Sequence, residues 1–342
     1  MAATTLSPRL SVRRLAASAW SAPGVPSALG GLLYDLQAPI GIDSPAGVAT
    51  RRLLQDGPML DAWCSDGPLL AGRSGCVRWR HNGHWLYGAL DLDEHGQDLE
   101  ALARRAYGDV FATLDQTGFT HLQRIWNYLP HINADAAGTE RYRRFNAGRQ
   151  QAFLDARRPA FEGAPAACAL GTREGPFCVR FLAGLRPALP VENPRQVSAY
   201  HYPRDYGVRS PTFSRAALVE AGADQVALLI SGTSSIVGHA SVHAGDVLAQ
   251  TRETLNNLRA VVAAANARGD ARFDLATLEA TVYVRHAEQA PSVRATLEAE
   301  VGAATPFARH ALYLEADICR SDLLVEIEAH AFAAGRIDRV GA

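Results

Sequence analysis

Hydrophobic and polar residues alternate along a short segment that begins at Cys76. The segment reads Cys-Val-Arg-Trp-Arg-His-Asn-Gly-His-Trp-Leu-Tyr-Gly, and the alternation continues on both sides of Asn82–Gly83. Alternation with a period of two indicates a β-strand, and an Asn-Gly pair between two such runs is typical of a hairpin with a two-residue turn. The pattern therefore predicts two antiparallel strands.

From Asp98 onward the apolar spacing becomes that of an amphipathic helix. Apolar residues recur every three or four positions as far as Gln116, and Gly118 supplies a helix stop. Farther along, the pattern predicts a strand at 122–128, a helix at 140–155, and strands at 166–170 and 177–181. The predicted order is β-β-α-β-α-β-β.

The same order of elements starts again near Gln225. Strands are predicted at 226–230, 236–242, 281–285, 311–314 and 323–328, and helices at 251–265 and 291–301. This repetition indicates an internal duplication, so two copies of one α+β unit account for most of the chain after Gly75. Residues 1–32 lack the pattern and predict an arm that is flexible or packed against the rest.

The segment between the two copies, residues 185–215, is rich in proline, tyrosine and arginine. Its irregular spacing is typical of a linker. Clustered aromatic and guanidinium groups are instead typical of a binding loop, because loops on a rigid scaffold often carry binding chemistry. The residues alone leave both interpretations open.

Charge and composition narrow the class of partner. The 342 residues include 34 basic and 35 acidic side chains, a formal net charge of -1, which gives no electrostatic footprint for a nucleic acid or an anionic membrane. We therefore expect a small-molecule partner. The sequence contains no lysine, which excludes a lysine Schiff base and the lysine of a Walker-type phosphate loop.

The five cysteines are odd in number and show no C-x-x-C spacing, so neither a disulfide framework nor a zinc site is indicated. Residues 1–32 show no sustained apolar run of the kind expected in a secretory leader, and no segment has the roughly 18 apolar residues that mark a membrane span. We expect a cytoplasmic protein with free thiols. His239 and His243 lack further ligands nearby, and no glycine-rich nucleotide-binding pattern follows a strand, so we expect neither a metal nor an organic cofactor.

Four segments of the second copy form a motif set. They are Gly245-Asp-Val-Leu-Ala-Gln-Thr-Arg-Glu-Thr-Leu-Asn-Asn-Leu, Thr281-Val-Tyr-Val, Pro306-Phe-Ala-Arg309 and Val325-Glu326-Ile-Glu328-Ala. In this order they resemble the RidA family of reactive-intermediate deaminases. The resemblance implies that Arg309 binds a substrate carboxylate and that Glu326 directs water.

Further motifs extend over the whole chain. They are Arg124-Ile-Trp-Asn-Tyr-Leu-Pro-His-Ile-Asn, Arg144-Phe-Asn-Ala-Gly-Arg149, Tyr200-His-Tyr-Pro, Ser231-Gly-Thr-Ser-Ser-Ile-Val-Gly-His and Asp317-Ile-Cys-Arg-Ser-Asp-Leu-Leu-Val-Glu-Ile-Glu. This set is similar to that of chorismatases, which fuse two RidA-like domains. The resemblance implies an α+β fold of two Bacillus chorismate mutase-like domains, at 1–185 with the arm and at 186–342. Each domain is expected to be a mixed β-sheet with helices packed on one face, with the site at the domain interface.

The resemblance also implies a reaction. Chorismate is expected to yield pyruvate and 3-hydroxybenzoate, with 4-hydroxybenzoate left open as a second product, on a protein that we expect to be a monomer. The reaction begins with protonation of the enolpyruvyl methylene carbon. The donor must be an acid that stays protonated near neutral pH, and a glutamate does so only if its pKa rises well above about 4.3.

Glu326 is the expected proton donor. Strand alternation places Glu326 and Glu328 on one face of an otherwise apolar strand, and this pattern alone favours a solvent-facing pair of acids. The family position favours a buried catalytic Glu326 instead, with Glu328 in a supporting role. The corresponding place in the first copy, Cys178-Val-Arg-Phe, has no acid, so one functional site is expected.

The remaining site residues follow from the same resemblance. Cys319 is expected to be catalytic, because 3-hydroxybenzoate-forming chorismatases have a cysteine at this place, although the residue type alone indicates a buried inert thiol. Arginines are expected for the two carboxylates of chorismate. The expected substrate-binding residues are Arg149, Gln196, Tyr202, Arg215, Gly232 and Arg309.

Two other functions stay open. An imine or enamine hydrolase would use Arg309 and Glu326 on a smaller substrate, but it leaves the whole first copy without a purpose. A non-catalytic metabolite-binding protein would need the arginines but no acid at Glu326.

Overall fold

The computed structural model describes residues 8–20, 28–35, 46–55, 57–135 and 138–338. Its strands are β1 (Leu10–Ala16), β2 (Ala28–Tyr34), β3 (Ala46–Val48), β4 (Arg51–Leu53), β5 (Met59–Ser65), β6 (Leu70–Ser74), β7 (Val77–His81), β8 (Trp85–Leu92), β9 (His121–Pro130), β10 (Ala166–Thr172), β11 (Phe177–Gly184), β12 (Leu189–Val191), β13 (Ala216–Gly222), β14 (Gln225–Ser234), β15 (Ile236–Val237), β16 (Ala240–Ser241), β17 (Glu279–Val284), β18 (Leu312–Glu315) and β19 (Val325–Ala334). Its helices are α1 (Leu99–Thr117), α2 (Arg141–Asp155), α3 (Val247–Asn266), α4 (Ala290–Leu297) and α5 (Pro306–His310). Within these ranges no helix is long and apolar enough to cross a membrane.

The strands form three main sheets. The small sheet has the order β1-β5-β2-β3, the first sheet the order β10-β9-β11-β8-β7-β6, and the second sheet the order β12-β13-β14-β19-β17-β18-β4. We call residues 70–184 the first copy and residues 216–334 the second copy. Strand β4 precedes the first copy in the chain but forms the edge of the second sheet, where it pairs with β18.

The two copies share one topology. Five strands of the first sheet, β10-β9-β11-β8-β7, correspond in order to β18-β17-β19-β14-β13 of the second sheet. In each copy the outermost pair of this set is parallel and the other pairs are antiparallel. The predicted duplication and the α+β fold class are therefore confirmed.

Local sequence signals set several of the boundaries. Asp98 caps α1 by accepting a hydrogen bond from the backbone of Ala101, and Gly118 ends the helix in a left-handed conformation with φ of 76°. The predicted hairpin joins β7 to β8, but its two turn residues are Gly83 and His84, because Asn82 pairs with Trp85 through a backbone hydrogen bond. Gly83 supplies the positive φ, 84°, that the turn requires.

Two strand predictions in the second copy are wrong. The predicted strand at 236–242 is divided into β15 and β16, because Gly238 turns the chain with φ of 59°. The second copy starts with β13, before the predicted start near Gln225, and β13 pairs with β14. The described part of the predicted arm contains β1, which pairs with β5 along its whole length.

Helices cover the outer face of each sheet, and the inner faces meet each other. Leu102 and Val110 of α1 pack with Ile125 of the first sheet, and Leu255 of α3 packs with Ile327 of the second sheet. A separate cluster joins the inner faces of both sheets with one face of the small sheet. Burial of one such aliphatic side chain stabilises the fold by about 1.5–3 kcal/mol. Glu326 is next to Ile327 on β19, so strand alternation directs it toward the interface.

Candidate active site

A cavity of about 430 Å³ opens at one end of the interface between the two sheets. Its wall includes β14 and β19 of the second sheet, the start of α2, the segment that connects the copies, and the loop before β19. Five of the predicted site residues line it. They are Tyr202, Arg215, Gly232, Cys319 and Glu326.

Glu326 is the buried acid of this cavity, whose wall also includes the less buried Glu140 and Asp322. Its side chain is buried, with 3% of the residue exposed, and its neighbour on β14 is Ser234, whose hydroxyl donates a 3.3 Å hydrogen bond to Oε2. Burial, and after it the negative charge of Glu328, raises the pKa of Glu326 to about 8. The Glu326 carboxyl therefore carries its proton at neutral pH, as a general acid must.

Gly232 lets Glu326 occupy this position. A Cβ atom at residue 232 would lie 1.9 Å from Oε1 of Glu326 and 3.2 Å from Cβ of Cys168. The carboxyl group is the end of a flexible side chain that borders the cavity, and it would have to move to make room. A side chain at 232 would displace the acid, so Gly232 acts through Glu326.

Glu328 lies in a different environment on the same face of β19. It forms an ion pair with Arg124 of the first sheet and accepts a 2.8 Å hydrogen bond from the hydroxyl of Tyr283. Tyr283 in turn contacts the hydroxyl of Tyr128 at 2.8 Å. The negative charge of Glu328 disfavours ionisation of Glu326.

Cys319 lines the cavity on the loop before β19. Burial, followed by the nearby carboxyl of Glu326, raises the pKa of the Cys319 thiol to about 12. The thiol is thus neutral over the physiological pH range. It suits hydrogen bonding or packing against a substrate ring better than nucleophilic attack, which requires the thiolate.

Arg215 and Tyr202 form a cationic corner of the cavity. Nη2 of Arg215 donates to the Tyr202 hydroxyl at 2.7 Å and to the backbone oxygen of Val197 at 2.8 Å. The guanidinium also lies over the ring of Phe213, at 5.2 Å. These contacts fix the orientation of the Arg215 guanidinium, whose positive charge acts on Glu326.

Three predicted residues do not line the cavity. Arg149 is buried in the first copy, where it lies 4.7 Å over the ring of Phe145 and donates to Asn146. Gln196 does not line the cavity but contacts a residue that does, because its side-chain amide donates to the backbone oxygen of Ile236. Arg309 is exposed on the short helix α5. The predicted carboxylate-binding role of Arg309 gains no support from this placement.

Sequence reasoning missed two arginines of the site. Arg143 and Arg320 both line the cavity. Arg320 directly follows Cys319 within a motif already associated with the family, so the signal was present, whereas nothing in the sequence distinguished Arg143 from its neighbours.

Arg285 holds the loop that presents Cys319. Its guanidinium donates hydrogen bonds to the loop before β19 and to Asn133. Nε donates to the backbone oxygen of Leu323, Nη2 donates to the backbone oxygens of Ile318 and Arg320, and Nη1 donates to Asp317 and Asn133. A side chain with fewer donors could not bond all these acceptors at once.

The first copy has an arginine where the second copy has its acid. The parallel pairing begins at Thr281 of β17 in the second copy and at Arg124 of β9 in the first copy, so Tyr283 and Trp126, each two residues later, are equivalent positions. Tyr283 pairs with Glu326 of β19, and Trp126 pairs with Arg180 of β11. Arg180 is fully buried and forms an ion pair with Asp91. The prediction that the first copy lacks an acid at this place is confirmed.

No group of three or more histidine, cysteine or acidic side chains within the described ranges is arranged to hold a metal ion. Nε2 of His243 lies 3.9 Å from Glu253, and Nδ1 of His239 lies 3.3 Å from the Tyr206 hydroxyl. The two histidines thus have separate partners.

Known proteins resemble this chain over most of its length. The family model described as "Chorismatase FkbO/Hyg5-like, N-terminal" matches residues 61–183. A 3-hydroxybenzoate synthase of Streptomyces hygroscopicus is 39% identical over 280 residues, which cover 79% of this chain and 81% of that protein. A chorismatase of Streptomyces rapamycinicus is 37% identical and covers 80% of this chain and 82% of its own length.

A solved structure shows the same likeness over nearly the whole chain. A chorismatase crystal structure matches with a TM-score of 0.84 at 29% identity, over 96% of this chain and 99% of that chain. A Rid family protein of Yersinia pestis, YyfA, matches 44% of this chain and 99% of its own, at 21% identity and a TM-score of 0.33.

Proposed function

This chain belongs to the chorismatase family, and on that premise we propose that its interface cavity converts chorismate to pyruvate and 3-hydroxybenzoate. One observation carries the proposal. Glu326, buried beside Glu328, is a neutral acid that faces a cavity large enough for a small metabolite. A buried acid with a pKa near the working pH is what protonation of an enol ether carbon requires.

Glu326 gives its proton to the methylene carbon of the enolpyruvyl group. The double-bond electrons form the new C–H bond, and the adjacent carbon becomes a cation stabilised by the ether oxygen. The Glu326 carboxylate that remains is stabilised by the positive charges of Arg124 and Arg215, which favour its ionised form. The site therefore accommodates both the protonated and the ionised form of Glu326.

Capture of the cation decides the product. If the ring hydroxyl attacks it, a cyclic intermediate forms, and pyruvate then leaves as the ring becomes aromatic, so that 3-hydroxybenzoate is released without net consumption of water. If water attacks, the resulting hemiketal releases pyruvate and a dihydroxycyclohexadiene carboxylate, and one water is consumed. Cys319 lines the cavity as a neutral thiol and directs the ring hydroxyl.

Arg215 binds one substrate carboxylate, and Tyr202 orients the guanidinium that does so. The support is the 2.7 Å bond between them and the near-complete burial of Arg215, of which 4% is exposed. A charge-assisted bond made in such a dry site is stronger than one made in water. Arg143, which is nearer to solvent, supplies a second positive charge on the cavity wall.

The protein acts as a monomer in the cytoplasm. Free thiols at all five cysteines are compatible with a reducing compartment. The fusion of two like sheets within one chain already buries the inner face of each. Sedimentation equilibrium tests the monomer directly, and a stable trimer would contradict it.

Incubation of the purified protein with chorismate tests the proposed reaction. Pyruvate is followed by coupling to lactate dehydrogenase, and aromatic products are separated by chromatography. We expect pyruvate and 3-hydroxybenzoate in equal amounts. Absence of pyruvate above the blank would reject the proposal, and tight chorismate binding without turnover would favour a metabolite-binding protein.

A further inference from the structure

Arg320 joins three separate segments around the mouth of the cavity. It belongs to the loop before β19, it lies over tyrosines of the segment that connects the two copies, and it bonds to the β15–β16 hairpin. We call residues 199–207 the tyrosine loop. Tyr202 and Tyr206 of this loop both line the cavity, as does Arg320 itself.

The contacts of Arg320 with the tyrosine loop are made through ring faces. The centre of its guanidinium lies 4.0 Å from the ring centroid of Tyr206 and 5.1 Å from that of Tyr202. The two rings lie 5.4 Å apart, centroid to centroid. A guanidinium at this distance is attracted by the negative face of each ring, and the attraction strengthens when water is excluded.

The other side of Arg320 is attached to the hairpin. Nη1 donates to the backbone oxygen of His239 at 2.8 Å and to the hydroxyl of Ser241 at 3.2 Å. The Tyr206 ring also packs edge-on against His239, 5.7 Å away. Arg320 thus lies at the meeting point of the hairpin and the tyrosine loop.

Arg320 makes these contacts without a carboxylate partner among the described residues. Its Nη2 atom is buried and bonds to nothing in the described structure. The guanidinium is therefore held by ring faces and neutral oxygens. Its removal would leave residues 199–207 in contact with the hairpin, among the described residues, through Tyr206 and His239, while the backbone bonds of Gly238 with Arg195 and Val197 just before the loop stay in place.

We propose that Arg320 determines product specificity by closing the tyrosine loop over the cavity, so that water does not reach the cation before the ring hydroxyl does. This inference rests on the proposed chorismate cleavage. With the loop closed, the ring hydroxyl forms the new C–O bond and no water is consumed. With the loop loosened, water forms that bond, loses its proton, and pyruvate leaves together with the dihydroxycyclohexadiene carboxylate.

The test compares four variants for total pyruvate and for the ratio of the two ring products. Arg320→Met keeps the length of the side chain but removes the charge and the donors. Arg320→Lys is the conservative variant, because unlike Arg320→Met it keeps a positive charge. Tyr206→Leu removes the ring under the guanidinium and leaves the Cys319 loop untouched, and Tyr206→Phe keeps the ring while removing only the hydroxyl.

We expect Arg320→Met and Tyr206→Leu to release pyruvate and to raise the share of the dihydroxycyclohexadiene carboxylate severalfold. Arg320→Lys should restore part of the wild-type ratio, and Tyr206→Phe should nearly match wild type. A wild-type ratio in Tyr206→Leu would overturn the inference even if Arg320→Met were inactive. Absence of pyruvate from the wild-type protein would instead reject the underlying reaction.

Discussion

The second copy places a glutamic acid, and the first copy an arginine, at corresponding positions on equivalent strands. Glu326 faces an open cavity and has one hydroxyl, that of Ser234, as its hydrogen-bond partner among the described residues. Arg180 has a carboxylate, Asp91, and three backbone oxygens, those of Leu90, Val179 and Gly47. Both groups are buried, but only Glu326 lies next to space that a ligand can occupy.

The small sheet explains part of this difference. Its strand β3 brings the backbone oxygen of Gly47 onto Arg180, so the inner face of the first copy is covered there. A gap of only about 30 Å³ lies nearby, beside Tyr87. Duplication thus supplied two similar scaffolds, and the surroundings of one strand position determined which became a candidate catalytic site.

Glu326→Gln should produce the largest functional effect. Glutamine keeps the shape of the side chain but has no acidic proton to give, so turnover of chorismate should fall by about 10²- to 10⁴-fold. The dissociation constant for chorismate, measured by calorimetry, should change little because no carboxylate-binding group is altered. Turnover within a few-fold of wild type would remove Glu326 from the proposed role and erase the functional difference between the copies.

Asp91→Asn in the first copy should affect stability and not chemistry. Burial opposes ionisation of Asp91, but the charge of Arg180 and the hydrogen bonds from Arg78 and Arg180 outweigh it, and its pKa lies below the ordinary value. Removal of this charge leaves two arginines without their carboxylate, at a cost of about 3–5 kcal/mol of unfolding free energy, which urea denaturation can measure.

The matched control for that variant is the double change Asp91→Leu with Arg180→Met, which removes the fully buried pair, leaves the partly exposed Arg78 as the one arginine without its carboxylate, and should recover part of the lost stability. Turnover by the folded fraction should match wild type in both proteins. A folded Asp91→Asn protein with the turnover defect of Glu326→Gln would show that the first copy takes part in the reaction.

Cys319→Ala should change the product while pyruvate release continues. The thiol acts after the cation has formed, so its removal lets water compete better and lowers the share of 3-hydroxybenzoate. The dihydroxycyclohexadiene carboxylate should appear in its place on chromatography. An unchanged product ratio at the wild-type rate would indicate that Cys319 is a packed thiol without a role in the reaction.

Much of the fold was predictable because local signals agreed with the tertiary structure. The cap at Asp98, the stop at Gly118 and the repeated order of elements all led to the correct assignment. Strand β4 was not predictable. It is three residues long, and it forms only because β18 offers an unpaired edge far along the chain.

The site was predictable where a family motif marked the residue, as at Glu326, whose strand alternation alone favoured a solvent-facing acid. The motif did not reveal where a side chain points. Arg309 follows the motif proline, yet α5 leaves it in solvent. The role of Arg285 in holding the Cys319 loop depends on contacts with residues more than thirty positions away, which no local pattern records.

The most direct test of the account is a measurement of the pKa of Glu326 itself. The protein is labelled with ¹³C at glutamate side-chain carboxyl carbons, and the Glu326 signal is assigned by its loss in Glu326→Gln. We expect a titration midpoint near pH 8, against an ordinary value of 4.5. Because the protonated form is the active one, kcat/KM should hold below this pH and fall above it.

Glu328→Gln serves as the control for that titration, because loss of the neighbouring negative charge should move the Glu326 midpoint to lower pH. A midpoint near 8 in the native protein that falls in this variant is the result that the account predicts. A Glu326 that titrates near 4.5 in the native protein would be ionised at neutral pH, and it would contradict the claim that the second copy holds a neutral catalytic acid.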